Sequence, residues 1–138
     1  LLLTALTTAA KRGVDVTLIL PAKVDSLLVR WASQAYYPRL LNAGVKIALF
    51  DGGLLHAKTL TVDNDYALFG TVNMDMRSFY LNLEVSLAVF TPETVAAISA
   101  LLDGYLAGSE AVELKKWQQR RRVQRFIERC VRLVSPLL

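Results

Sequence analysis

Val14-Asp-Val-Thr-Leu-Ile-Leu20, halted at Pro21, and Val45-Lys-Ile-Ala-Leu-Phe50, halted by Asp51-Gly52-Gly53, decide the fold class. Both runs are apolar and rich in β-branched residues, and each ends on turn chemistry, so both are predicted to be strands, the first of them buried. Between them Ser26 is placed to cap a helix through Leu27, Leu28, Trp31 and Ala35; Pro38 interrupts it, and a short helix resumes before Gly44. Strand, helix, strand in that order is the pattern of a parallel sheet with helical crossovers.

Working outward, Leu1 to Arg12 reads as the end of a helix with Gly13 as its stop. Beyond the second strand come two more, Leu54–Val62 and Tyr66–Phe69, with Asn64-Asp65 as the turn, and then Leu83–Phe90. Pro92 opens a helix that takes in Thr94 to Leu106. A last helix, about Glu113 to Val134, aligns Val123, Phe126, Ile127, Cys130, Val131 and Val134 on one stripe opposite a face rich in Arg, and Ser135-Pro136 stops it. The expectation is an α/β fold: a central sheet, mixed but mostly parallel, with helices on both faces. Residues 1–110 form the body and 111–138 a basic amphipathic helix, packed on the body or lying at a membrane surface.

At 138 residues the chain is one domain or a piece of a larger one, and a hydrophobic fraction of 54% excludes a disordered polymer. Its longest charge-free run is the ten residues Leu1 to Ala10, about half of what a membrane-crossing helix needs. Nothing basic precedes that run and no small-residue cleavage site follows it, so no secretory signal is predicted. The chain opens in mid-pattern without Met, which predicts a fragment. Cys130, the single cysteine, has no internal partner and fits a reducing compartment. Charge is uneven: residues 110–138 sum to +5 and the remainder to −1, which suggests a polyanionic neighbour, lipid headgroups or nucleic acid.

Chemistry concentrates in the middle of the chain, where His56-Ala-Lys58 is followed after four residues by Asp63 and after six more by Gly70-Thr71-Val-Asn73. On a strand, residues two apart share a face at roughly 7 Å, so His56 and Lys58 would project together. Asn73 adds an amide donor from the turn after the next strand. An imidazole, a fixed cation and an amide suit a phosphodiester, whose oxygens gain charge as a further ligand approaches phosphorus. Imidazole can itself attack phosphorus and be displaced by a second nucleophile. Glu84 is the candidate to orient His56 through its other ring nitrogen. With the single His so assigned and no acidic cluster beside it, the predicted chemistry needs no metal and no cofactor.

These residues resemble the phospholipase D superfamily signature, His-x-Lys-x4-Asp-x6-Gly-[Gly/Ser/Thr]-x-Asn, at His56, Lys58, Asp63, Gly70, Thr71 and Asn73. Outside it, Arg12-Gly-Val-Asp-Val-Thr-Leu-Ile-Leu-Pro21, Tyr37-Pro38, Ala43-Gly-Val-Lys-Ile47, Leu55-His-Ala-Lys-Thr59, Gly70 to Ser78, Leu81-Asn-Leu-Glu84 and Ser135-Pro-Leu-Leu138 resemble the bacterial cardiolipin synthases. The likeness runs over essentially the whole chain and implies the C-terminal half of such an enzyme, carrying the second of two motifs. It also implies a phospholipase D-like α-β-α sandwich.

By that resemblance His56 would be one of two active-site histidines, the general acid and base, with the covalent nucleophile on the absent half. Lys58 and Asn73, with Thr71 of the signature, would bind phosphate oxygens. Asp63 belongs to the signature's catalytic set but would support strand and turn rather than touch phosphorus. Glu84 corresponds to the acid that holds the His ring, and Arg77 would anchor a lipid phosphate. The implied reaction joins two phosphatidylglycerols into cardiolipin, releasing glycerol through a phosphohistidine, without nucleotide or cofactor. The implied partners are anionic membrane lipid and the half bearing the first motif, or a second copy of this chain; nucleic acid is not expected. The setting would be the bacterial inner membrane, reached through segments absent from this chain.

Two alternatives stay open at this point. One is a phosphodiesterase or nuclease of the same superfamily that completes its site as a homodimer. The other is a non-catalytic half-domain that holds lipid phosphate without turning it over.

Overall fold

The computed structural model describes residues 2–24, 26–73, 78 and 80–120. Helix α1, Leu2–Lys11, ends where Gly13 takes φ +95° and the Gly13 and Val14 amides bond back to Ala10 and Ala9 at 3.0 and 3.2 Å. That left-handed step is open to glycine without penalty and turns the chain into β1, Thr17–Pro21. Helix α2, Leu27–Gln34, is capped by Ser26, whose Oγ accepts from the Val29 amide at 3.4 Å. Pro38 does not so much interrupt a helix as open one: it lies in the first turn of α3, Tyr37–Asn42, where its missing N–H costs nothing. Strand β2, Lys46–Phe50, then pairs in parallel with β1 from Thr17↔Lys46 to Pro21↔Phe50.

Alternation along β2 sets the layers. Ile47, 2% exposed, packs with Tyr37, Leu40 and Val45, and Leu49, Leu3, Leu6 and Leu18 lie against the same cluster. Phe50 packs elsewhere, its ring meeting the edge of Tyr105 at 5.2 Å on helix α4, Pro92–Ala107. Helices therefore cover both faces of β2, as expected for the sandwich. After α4 the chain returns as β6, Ser109–Ala111, antiparallel to β2. The short helix α5, Leu114–Gln118, contacts α3. The expected boundary at 110/111 thus falls inside a strand. Of the last predicted helix, the part beyond residue 120, with Cys130, lies outside the described residues.

A second sheet holds β3, Thr59–Val62, β4, Tyr66–Gly70, and β5, Ser86–Val89, in the order β3-β4-β5. All its pairings are antiparallel, so among the described residues only β1–β2 is parallel and the mostly parallel expectation is corrected to mixed. The reason is local: Asp63 and Asn64, at φ +49° and +59°, close a tight hairpin that can only return the chain antiparallel. Helix α4, with Val95 fully buried, contacts β2, β3 and β4 and so bridges the two sheets. No described helix is long and apolar enough to cross a membrane.

Candidate active site

Three segments meet at the open end of the β3–β4 hairpin. The Gly70 amide donates to the Lys58 carbonyl at 3.1 Å, one step beyond the last paired residues of β3. Past Gly70 the chain turns to the segment preceding β5: the Thr71 amide donates to the Val85 carbonyl at 2.9 Å, and the Val85 amide donates to Thr71 Oγ1 at 3.0 Å. Glycine is required at 70 by that approach. A Cβ there would overlap the Val85 carbonyl oxygen and lie 2.7 Å from the Ser86 Cα, both backbone atoms that cannot step aside.

Two sequence expectations are corrected here. His56 and Lys58 do not lie on a strand, because β3 starts at Thr59; β4 leaves toward Val85 after Gly70, and residues 54–57 have no ladder partner. Glu84 likewise precedes β5 by two residues. The Lys58 ammonium donates instead to the His56 main-chain carbonyl, at 2.9 Å. The His56 ring is exposed and makes no hydrogen bond among the described residues.

Glu84 gathers the polar groups of the cluster: the Asn82 amide donates from Nδ2 to its Oε1 at 3.2 Å, and the Thr71 and Ser78 hydroxyls and the Lys58 charge also act on its carboxylate. Thr71 contributes most, then Asn82; with smaller contributions from Ser78 and Lys58 these hold the carboxyl below the usual carboxylate range against the opposing effect of burial. Glu84 is thus kept anionic on Thr71, Asn82 and Ser78, while no hydrogen bond joins it to the His56 ring. The Thr71 hydroxyl also donates to the Val85 carbonyl at 3.3 Å. Asn73 is exposed after the turn and makes no hydrogen bond among the described residues. Asp63 sits at the far end of β3, about 16 Å from Lys58 at ~3.3 Å per residue, and so is not brought into the cluster. Arg77 lies outside the described residues. Sequence reasoning passed over Asn82 and Ser78; the two-residue step from Asn82 to Glu84 was the available signal for the first.

The arrangement offers an exposed imidazole, an ammonium held on the His56 main-chain carbonyl, a carboxylate on which that ammonium's charge acts, and an exposed amide after the turn. Such a set can donate and accept a proton at a phosphodiester and stabilise charge on its oxygens. A fold of mixed sheets between helices, carrying that set at a hairpin's open end, defines the phospholipase D-like class. The family model described as "Cardiolipin synthase, PLD-like domain" matches residues 1–105, and the chain belongs to that family. It is 49% identical over 137 residues to cardiolipin synthase A of Klebsiella pneumoniae and 50% identical to cardiolipin synthase A of Escherichia coli K12, covering 99% of this chain in both cases. The chain spans 28% of the length of these curated relatives. Among solved structures it is similar to Nuc, a phospholipase D family member from Salmonella typhimurium, with a TM-score of 0.69 and 20% identity, covering 80% of this chain and 72% of that one.

Proposed function

We propose that this chain supplies one half of the active site of an enzyme that transfers a phosphatidyl group between two phosphatidylglycerols, giving cardiolipin and glycerol. The observation that carries the reading is the Gly70–Lys58 hydrogen bond, which puts the two halves of the signature, His56-x-Lys58 and Gly70-Thr-x-Asn73, at one end of one hairpin. The family membership and the names of the relatives support it.

In this reading a histidine of the complementary half attacks phosphorus of the first lipid. As the bond from phosphorus to the glycerol oxygen breaks, protonated His56 gives that oxygen its proton. The second phosphatidylglycerol then attacks the phosphohistidine with its terminal hydroxyl. His56 takes the hydroxyl proton, and the bond from nitrogen to phosphorus breaks. Two phosphodiesters have then become one cardiolipin, with glycerol released and both histidines restored. Lys58 and Asn73 take up charge on the phosphate oxygens, with Thr71 and Glu84 holding Lys58 and its loop in place. Asp63 shapes the hairpin, and Arg77 anchors a second phosphate. The complementary half is the first-motif part of a longer chain, or a second copy; membrane attachment at the bacterial inner membrane comes from segments outside these residues. The body through β6 acts as the catalytic half-domain, and the basic residues that follow form an appendage.

The test is His56→Ala in the complete protein, assayed for cardiolipin formed from phosphatidylglycerol. Loss of an acid–base group should lower the rate by about 10³-fold. Undiminished synthesis would remove His56 from the chemistry and the reading with it.

A further inference from the structure

The sheet face that carries the site runs on past it. The Gly70–Lys58 hydrogen bond sets Lys58 opposite Gly70, and the β4–β5 ladder sets Gly70 opposite Ser86. Side chains alternate along each strand, so the next row on that face is Leu60, Leu68 and Ala88, and the row after it is Val62, Tyr66 and Phe90. The Tyr66 and Phe90 rings meet at 5.2 Å, as that register requires. Leu60 and Val62 are each 44% exposed, Phe90 is 69% exposed, and Ala88 is exposed as well. The other face is the covered one: Ala67 is fully buried there, and α4 packs against β3 and β4. Two open, uncharged rows therefore lie about 7 and about 14 Å along the strands from the Lys58 row. The hairpin tip, Asp63-Asn64-Asp65, ends them.

We infer that these two rows seat the acyl chains of a phosphatidyl group whose phosphate lies at Lys58. Polar row first, apolar rows after, is the order of headgroup and tails in such a lipid. Three strands make the seat about 10 Å across, wide enough for two acyl chains abreast. At roughly 10 by 14 Å it presents on the order of 140 Å², well short of the ~800 Å² that each partner gives to a stable protein interface. A lipid needs no such area, because each methylene removed from water strengthens binding about four-fold. The inference rests on the lipid-directed reading of the site and adds the part of the substrate that the phosphate-binding groups do not touch.

The experiment uses the complete protein with dihexanoyl and dioctanoyl phosphatidylglycerol, both held below their micelle concentrations. The parent is compared with a Leu60→Thr, Val62→Thr variant, threonine being at home in a strand. In the parent the KM for the longer lipid should be lower by about 10-fold or more. In the double variant that ratio should fall toward one, with the loss on KM rather than kcat. Phe90→Thr, at the most exposed of the six positions, should lower the same ratio and serves if the double variant fails to fold. A parent indifferent to chain length, or a ratio unchanged in the variants, overturns the inference. An unchanged ratio with a lowered melting temperature would further mean that protein covers this face. Calorimetric binding of the same two lipids reads the seat without turnover. A parent that prefers the dioctanoyl lipid but makes no cardiolipin would overturn the transfer reading and uphold this one.

Discussion

Gly70 and Glu84 carry the site at the scale of single residues. Replacing Gly70 with Ala drives a Cβ into the backbone at Val85 and Ser86, so β4 and β5 must part locally. Gly70→Ala should cost about 1–3 kcal/mol in denaturant unfolding, an overpacking penalty with no side chain free to relieve it. Glu84 offers a second test. Its carboxyl titrates below the usual range, so its bonds to Thr71 and Asn82 stabilise the fold above the ordinary carboxylate pKa, and that contribution is lost as pH falls through the depressed value. Asn82→Ala should move the Glu84 titration upward when followed by carboxyl NMR; an unmoved titration would mean that Asn82 does not bear on the charge. Tyr37 behaves oppositely. Burial pushes its hydroxyl up to about 12, only partly opposed by Arg30 and Arg120, so stability is intact below pH 10 and falls as pH rises from there to about 12. A thermal-melt series against pH should show this alkaline loss in the parent and a smaller one in Tyr37→Phe.

Among the elements, the β3–β4 hairpin shows what the sequence could and could not tell. The signature spacing located the site, and the Asn64-Asp65 turn was nearly placed; the observed reversal centres on Asp63 and Asn64. Strand propensity then carried β3 back to Leu54, four residues past any partner, because pattern registers apolar residues but not where a neighbouring strand turns away. Strand β6 was invisible for the converse reason: Ser-Glu-Ala has no strand pattern, and only the ladder to β2 makes it one. Three helices were legible because their caps are local: Ser26, Pro92 and Gly13 mark ends without reference to distant residues, whereas Pro38 opens a helix it was expected to break and the helix expected from Glu113 onward stops at Gln118. If Asp63 serves the turn, a conservative change should spare the chemistry while a β-branched residue beside it should not spare the fold. Asp63→Asn in the complete protein should retain synthesis, and Asn64→Val should lower hairpin stability by about 1–2 kcal/mol, the cost of a left-handed backbone for such a side chain.

For the molecule as a whole, apolar exposure gathers around the segment that enters β5. Leu81, Leu83 and Val85 are 79%, 104% and 68% exposed, and Leu87 on β5 itself is 56% exposed. Leu81, Leu83 and Val85 flank Asn82 and Glu84, so the polar cluster lies within an apolar rim of the kind that drives association. Light scattering should detect self-association of the chain by itself, reduced in a Leu83→Lys, Leu87→Lys variant.

The two sheets share no hydrogen-bonded strand pair among the described residues, and α4 packs against strands of both. The molecule should therefore open in two stages. Amides of β3 and β4 would exchange with solvent deuterium through a local loosening against α4, while β1 and β2, closed over the Tyr37–Ile47 cluster, would exchange only with the whole chain. The reactive end is then also the softer end. Under the function proposed above, the chain would reshape the ground on which two bulky amphiphiles are exchanged and leave its own scaffold intact.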